Sequence, residues 1–169
     1  LKTEGVDRSI MVRAKGEPTC FTFAPVQSDG TRRYFSCLGT NATINRSEYR
    51  VAGSVRPRVL AVGGAGVMPK LDGNPLAGIL RAARKAGTIT AVDTAYNSKL
   101  KDWRPVIRPL LAHADFFFPS IEEARLITGE KRPEAAARRL ASWGGRNIGI
   151  KVGADGVYYS GSLSQGERV

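Results

Sequence analysis

The chain has 169 residues, of which 42% are hydrophobic, and a formal net charge of +11 at pH 7. This length suffices for one sizeable hydrophobic core, and no run approaches the roughly 18 apolar residues that a membrane helix needs. Lys and Arg are scattered, with pairs such as Arg32-Arg33 and Arg84-Lys85 but no basic arm or dominant basic helix face. The charge is therefore typical of a solvated surface and does not by itself indicate nucleic-acid binding.

Two cysteines and one histidine limit the metal and redox chemistry that the sequence can support. Cys20 and Cys37 have no further Cys, and no His at ligand spacing. We therefore predict neither a disulfide framework nor a structural metal site, and we expect a reduced, cytoplasmic protein. His113 has no matched acid or base in the sequence, and it follows a predicted helix, where a cation suits the helix dipole.

The first 50 residues are typical of a small antiparallel sheet. Residues 18–27 and 33–38 are short, aromatic-rich runs on either side of the turn signal Ser28-Asp29-Gly30, which predicts a hairpin. Residues 10–14 are predicted to add a third strand. Because such a sheet cannot bury both of its faces, we expect it to lie over another part of the protein.

From residue 57 onwards the pattern alternates between strands and helices. Strands are predicted at residues 59–62, 88–92, 116–118 and 147–152, and helices at residues 74–87, 105–112, 120–129 and 133–143. Asn74 and Ser120 are predicted to be N-caps, and Pro75 lies in the first helical turn. Apolar residues at i, i+3, i+4 and i+7 mark the core-facing stripes. The alternation predicts an α/β fold with a parallel sheet and right-handed crossovers.

Polar and glycine residues follow several of the predicted strands. Parallel sheets bind ligands at the carboxyl ends of their strands, so these residues are the candidates for a site. They are Gly63 and Gly64, Asp93, Ser120 with Glu123, and residues 153–156. The sequence has no dinucleotide fingerprint, since Pro69 occupies the place of its third glycine. It also has no GxxxxGK[ST] phosphate loop. Ser120 and Glu123 also match a capping box, which satisfies helix amides without a ligand.

Residues 115–129, DFFFPSIEEARLITG, resemble a segment of the ribokinase (PfkB carbohydrate kinase) family. There a strand is followed by Pro-Asn-x-x-Glu-Ala and then Leu-x-x-Gly, and Ser120 stands where many members have Asn. Residues 63–103 resemble the family's central strand, helix and strand, and residues 148–159 resemble its strand with a Gly-x-x-Gly turn. The resemblance implies a ribokinase-like α/β fold, a mostly parallel sheet with flanking helices plus a small antiparallel lid sheet. Residues 1–50 would be the lid and a connecting segment, and residues 51–169 part of the nucleotide- and substrate-binding core.

The function that the resemblance implies is ATP-dependent phosphorylation of a hydroxyl on a small sugar or related polyol, with Mg²⁺. Among the positions that match the family's motifs, those that would bind the nucleotide and its phosphates are Ser120, Lys151, Gly153 and Gly156. Those that would bind the substrate are Gly64, Asp93 and Asn41. Glu123 would bind magnesium, directly or through water. Lys151 stands where the family often has Thr. In some family members the lid pairs with a second subunit, so the resemblance allows a homodimer through the lid; neither a membrane nor a nucleic acid is an expected partner.

The resemblance spans about the middle half of a family member. The family's Gly-Ala-Gly-Asp segment, which supplies the general base, is therefore expected beyond Val169, and an early glycine-rich substrate segment before Leu1. No catalytic base is predicted within this chain, which we expect to be inactive by itself. The sequence leaves open which sugar and which hydroxyl react, and the oligomeric state. It also leaves a second interpretation, a basic α/β module that binds nucleic acid or an acidic partner.

Overall fold

The computed structural model describes residues 1–49 and 56–162. The strands in this part of the chain are β1 (Phe21–Phe23), β2 (Phe35–Cys37), β3 (Val59–Ala65), β4 (Ile89–Thr94), β5 (Phe116–Phe118), β6 (Asn147–Lys151) and β7 (Val157–Ser160). The α-helices are α1 (Asn74–Lys85), α2 (Arg104–Leu111), α3 (Ile121–Thr128) and α4 (Pro133–Ser142). Short 3₁₀ turns cover Gly39–Ala42 and Gly153–Asp155.

The main sheet has the strand order β3-β4-β5-β6-β7. Strands β3 to β6 are parallel neighbours in chain order, and β7 pairs antiparallel with β6. Right-handed crossovers between successive parallel neighbours carry every helix to the same face of the sheet. The helices accordingly contact one another in a row, α1 with α2, α2 with α3, and α3 with α4. The predicted parallel sheet is confirmed.

The hydrophobic core lies between this helical layer and the sheet. Alternate residues of the strands, among them Val62, Val92 and Phe117, point towards the helices and are buried. The helices contribute fully buried leucines at the predicted spacing, such as Leu80 and Leu140. Burial of each such side chain contributes about 1.5–3 kcal/mol of transfer free energy.

The opposite face of the main sheet carries apolar side chains that the helices do not cover. Val59 and Ile89 are paired neighbours on this face and are 52% and 47% exposed. Phe116 and Phe118 stack on each other with ring centroids 6.0 Å apart and are partly exposed. Gly149 leaves room for them, since a Cβ at this position would lie 2.8 Å from the Phe118 ring. We call this surface the open face.

The helices and strands predicted from residue 57 onwards are present, with ends that agree to within about three residues. Strand β1 is shorter than the aromatic run at residues 18–27, and two further details are corrected. Residues 10–14 do not form a strand, because Met11 and Val12 lie exposed at 62% and 58% with no strand edge to pair with in the described part of the chain. Asn74 is the first residue of α1 and not its N-cap, a position that Gly73 occupies without a side-chain bond. The predicted boundary at residues 50 and 51 lies outside the described residues.

The predicted ends of α3 are confirmed. Ser120 is its N-cap and Gly129 its C-cap, where a φ of 80° suits glycine. None of the helices in the described ranges is long and apolar enough to cross a membrane.

The two-stranded sheet of β1 and β2 is expected to be the least protected part of the chain against hydrogen exchange. Among the described residues its strands pair only with each other, over three residues each, and Phe21, Phe23 and Phe35 are 61%, 64% and 62% exposed. Local opening there exposes little additional apolar surface, so it costs less free energy than opening the main sheet. Hydrogen-exchange mass spectrometry should show faster exchange in peptides from residues 19–38 than from residues 91–118. Equal protection of the two regions contradicts this expectation.

Candidate active site at the carboxyl edge of the sheet

An ion pair joins the ends of β4 and β6. The Nζ atom of Lys151 lies 2.5 Å from Oδ1 of Asp93, although β5 separates the two strands. Both side chains project from the open face, and they are 43% and 49% exposed. An ion pair this exposed contributes only about 0.2–1 kcal/mol to stability, so its charges remain available to a ligand.

The backbone of Lys151 also holds the start of α3 in place. Its amide donates to the carbonyl of Pro119 at 2.9 Å, and Ser120 and Lys151 form an isolated parallel bridge. The loop that enters α3 is therefore fixed against the carboxyl end of β6. This contact brings the predicted phosphate-binding residues Ser120 and Lys151 together.

Glu123 is a buried carboxylate that connects α3 to β4. It is 5% exposed, and its Oε2 atom accepts from the hydroxyl of Thr94 at 2.6 Å and from the amide of Ser120 at 2.7 Å. The amide of Glu123 in turn donates to the hydroxyl of Ser120 at 3.2 Å, which completes a capping box. The predicted capping box is thus present, and Glu123 makes an additional bond to Thr94 that no capping box requires. We call Asp93, Thr94, Ser120, Glu123 and Lys151 the strand-end cluster.

The loop that follows β3 is fastened by two polar side chains. The carboxylate of Asp72 accepts from the amides of Gly66 and Met68, each at 3.0 Å, while Asn97 donates from Nδ2 to the carbonyl of Gly66 at 2.8 Å. Burial raises the pKa of Asp72, against the effect of the two amides, which favour the charged form. Gly66 has a φ of 105°, and a Cβ there would lie 2.8 Å from the ring of Trp103, so only glycine fits.

Gly64 lies at the same edge of the sheet as the strand-end cluster. It immediately precedes Ala65, whose partner across the ladder is Thr94. Its φ of 89° and the bond from the Val67 amide to its carbonyl show that it turns the chain at the end of β3. Its role in the described structure is therefore to form the backbone turn at the end of β3.

The turn between β6 and β7 presents backbone to the space beyond β6. The amides of Val152, Asp155 and Gly156 are used in bonds that close the turn, and none of these bonds uses the amide of Gly153 or Ala154. A Cβ at Gly153 would meet no atom within 4 Å, so the space above this residue is open. A turn of this kind can bring two amides close to an anion.

Asn41 lies apart from these residues. It belongs to the short turn Gly39–Ala42 and lines a wide cavity of about 1680 Å³ between the first 19 residues and residues 40–49. Among the described residues, none of the strand-end cluster lines this cavity. The structure therefore does not bring Asn41 together with the other predicted substrate residues, Asp93 and Gly64.

Sequence reasoning missed Thr94, Asp72 and Asn97. Thr94 is the residue directly after Asp93 at a strand end, but threonine is common in strands whether or not they carry a site. Asp72 and Asn97 lie in loops, where these residue types are typical of turns. Their partners are distant in the sequence, so only the folded chain reveals the contacts.

Comparison with known proteins shows the family and the fold of the chain. Residues 1–168 match the sequence profile of the pfkB family carbohydrate kinases. The 2-dehydro-3-deoxygluconokinase of Bacillus subtilis (strain 168) is 28% identical over 183 aligned positions, which cover 98% of this chain and 54% of that protein. The crystal structure of a PfkB protein from Polaromonas sp. JS666 has a TM-score of 0.75 and 28% identity, covering 99% of this chain and 59% of that one.

A more distant structure shares the fold. The ribokinase of Arabidopsis thaliana, solved in complex with ribose and ATP, has a TM-score of 0.63 and 17% identity, with 91% of this chain and 49% of that chain covered. The chain thus spans about half the length of the proteins it matches. It has a ribokinase-like fold, with a mostly parallel five-stranded sheet, flanking helices and a small antiparallel sheet, and it belongs to the pfkB family of carbohydrate kinases.

Proposed function

We propose that this chain is part of an ATP-dependent kinase that phosphorylates a hydroxyl of a small sugar or related polyol. The observation that carries the proposal is the strand-end cluster, in which direct contacts join residues from β4, the start of α3 and β6 at the carboxyl edge of a pfkB family sheet. Phosphoryl transfer needs mainly positioning and charge neutralisation, and an edge of this kind supplies both.

Lys151 is proposed to bind the phosphates of ATP. Its ammonium group pairs with Asp93 at a half-exposed position, so it lies at the edge of the sheet and is open to an anion. The adjoining turn adds the amides of Gly153 and Ala154, and Gly156 closes the turn with a φ of 88°. Backbone amides and a lysine together neutralise phosphate charge without requiring a phosphate loop.

Glu123 is proposed to help hold Mg²⁺, which would neutralise the phosphates during transfer. Its Oε1 atom takes part in neither of the bonds described for Oε2. In the described part of the chain, no group of three or more His, Cys, Asp or Glu side chains is placed to hold a metal. This fits Mg²⁺ in a kinase, which is commonly bound through one or two carboxylates together with phosphate oxygens and water. Thr94 and the Ser120 amide orient the carboxylate.

The substrate is proposed to lie between Asp93 and Gly64 at the sheet edge and the sheet of β1 and β2. This sheet presents exposed Phe21, Phe23 and Phe35, an apolar surface suited to cover a sugar or to pair with a second subunit. The name of the Bacillus subtilis relative makes 2-dehydro-3-deoxygluconate the first substrate to test. Asn41 keeps its proposed substrate contact only if the first 49 residues move towards the strand-end cluster.

The 169-residue chain is expected to show no kinase turnover, because the family's general base lies in a segment expected beyond Val169. A longer polypeptide that continues through a Gly-Ala-Gly-Asp segment should release ADP when given ATP, Mg²⁺ and the sugar. A coupled ADP assay on both proteins, purified free of host kinases, checks the pair of expectations. Sugar-dependent ADP release by the 169-residue chain contradicts the proposed position of the base. Steeply salt-dependent RNA or DNA binding without an effect of ATP would favour the alternative binding module.

Glu123→Gln in the longer polypeptide should separate magnesium binding from helix capping. Glutamine keeps an oxygen that can accept from Thr94 and Ser120 but loses the negative charge. Turnover should therefore fall at least about tenfold and become more dependent on the Mg²⁺ concentration, while the free energy of unfolding changes by no more than about 1 kcal/mol. Steady-state kinetics at several Mg²⁺ concentrations and thermal melting measure the two effects.

Ser120→Ala is the matched control, because its hydroxyl accepts from the Glu123 amide in the capping box. This variant should lose about 0.5–2 kcal/mol of stability with little change in turnover. A kinetic loss equal to that of Glu123→Gln would place the Ser120 hydroxyl in the active site. Unchanged turnover and magnesium response in Glu123→Gln would remove the metal assignment and leave the capping box as its whole role.

A further inference from the structure

A second cluster of charged side chains lies at the opposite edge of the main sheet. Arg81, Arg84 and Lys85 near the end of α1 and His113 after α2 line a cavity of about 230 Å³. This is the edge at which β4 and β5 begin, so the cavity is remote from the strand-end cluster. The sequence does not predict this arrangement, because His113 is far along the chain from the basic residues of α1.

The guanidinium of Arg84 is held in a fixed orientation at the wall of this cavity. Its Nε atom lies 3.2 Å from Oδ1 of Asp115, and its Nη1 donates to the carbonyl of Ala112 at 2.8 Å. The other oxygen of Asp115 accepts from the amide and hydroxyl of Thr90 at 2.9 and 3.0 Å. Neither contact of Arg84 uses Nη2, so the N–H groups of this nitrogen are left for a further acceptor.

The cluster holds more positive than negative charge. Asp115 is the carboxylate in contact with Arg84, whereas Arg81, Arg84 and Lys85 repeat at i, i+3 and i+4 along one face of α1. Like charges at this spacing destabilise a helix by about 0.2–0.5 kcal/mol per pair. The negative end of the α1 dipole offsets part of the repulsion for the last turn, which contains Arg84 and Lys85 but not Arg81.

The pKa of His113 is affected by the same excess of positive charge. Burial, followed by the charges of Arg81 and Arg84, lowers the pKa of His113 below its usual value. The position of His113 after a helix end favours its protonated form, but burial and the neighbouring arginines oppose that form. An anion in the cavity would act in the reverse direction on the imidazole.

We propose that Arg81, Arg84, Lys85 and His113 form a binding site for a phosphate group, carried either by inorganic phosphate or by a small phosphomonoester. Arginine presents planar paired donors that match phosphate oxygens. The cavity of about 230 Å³ is below the roughly 300–1,000 Å³ of sites for larger ligands, so it suits a phosphate group better than a nucleotide. The site stands independently of the proposed kinase activity, because none of its residues belongs to the strand-end cluster.

The single histidine of the chain makes the proposal directly testable by NMR. The imidazole signal of His113 is followed in the 169-residue chain while inorganic phosphate is added at constant ionic strength, with sodium chloride as the balancing salt. A saturable shift of the signal and a rise in the pKa of His113 are expected. A shift that follows ionic strength alone and does not saturate overturns the proposal.

Two arginine variants separate a built site from general attraction to a basic protein. Arg81→Gln removes an exposed arginine that lines the cavity. Arg138→Gln removes an arginine of α4 that is also exposed but does not line the cavity. The dissociation constant for phosphate should increase about tenfold in Arg81→Gln, the loss expected for one charged hydrogen bond, and stay unchanged in Arg138→Gln. Equal weakening in both variants, or none in Arg81→Gln, contradicts the site. Unchanged melting temperatures confirm that both variants are folded.

The two sources of the phosphate group are distinguished by repeating the titration with glycerol phosphate. Tighter saturable binding of glycerol phosphate than of inorganic phosphate identifies a phosphomonoester as the ligand. Tighter binding of inorganic phosphate identifies the free ion. Absence of saturable binding for both probes refutes the proposal.

Discussion

Four parallel strands that follow one another in the chain, β3 to β6, constrain most of this structure. Each connection between parallel neighbours must cross a face of the sheet, and the right-handed twist of the chain allows one direction of crossing. The helices therefore form a layer on one face, and the carboxyl ends of the four strands meet at one edge. The contacts that join β4, the start of α3 and β6 in the strand-end cluster follow from that meeting.

The alternation of side chains along β4 divides this edge into two environments. Asp93 points to the open face, where it pairs with Lys151 in contact with solvent. Thr94, one residue later, points to the helical layer, where it donates to the buried Glu123. One strand end thus carries both a solvent-accessible ion pair and a shielded hydrogen bond that orients a carboxylate.

The buried carboxylate of Glu123 caps the start of α3 and at the same time bonds to β4. Moving a charged carboxylate out of water costs several kcal/mol unless hydrogen bonds replace the lost hydration. Thr94 and the amide of Ser120 supply two such bonds, and the position at the start of α3 adds the favourable field of the helix dipole. The same interactions that stabilise the start of the helix hold Oε2 in a fixed place, so the side chain is oriented before any ligand binds.

The sequence by itself determined the class of fold. The hydrophobic period and the residues that begin and end helices, such as Pro75, Ser120 and Gly129, are local properties that can be read along the chain together with the order of motifs. The rule that ligands bind at the carboxyl ends of parallel strands selected Asp93 and Ser120 with Glu123 as candidates, and the family resemblance added Lys151; their roles remain proposals. Only the tertiary structure decided that Thr94 binds Glu123, that Asn41 lies apart, and that His113 joins three cations of α1. These contacts depend on which distant residues the crossovers bring to one place, and a local pattern carries no information about its partner.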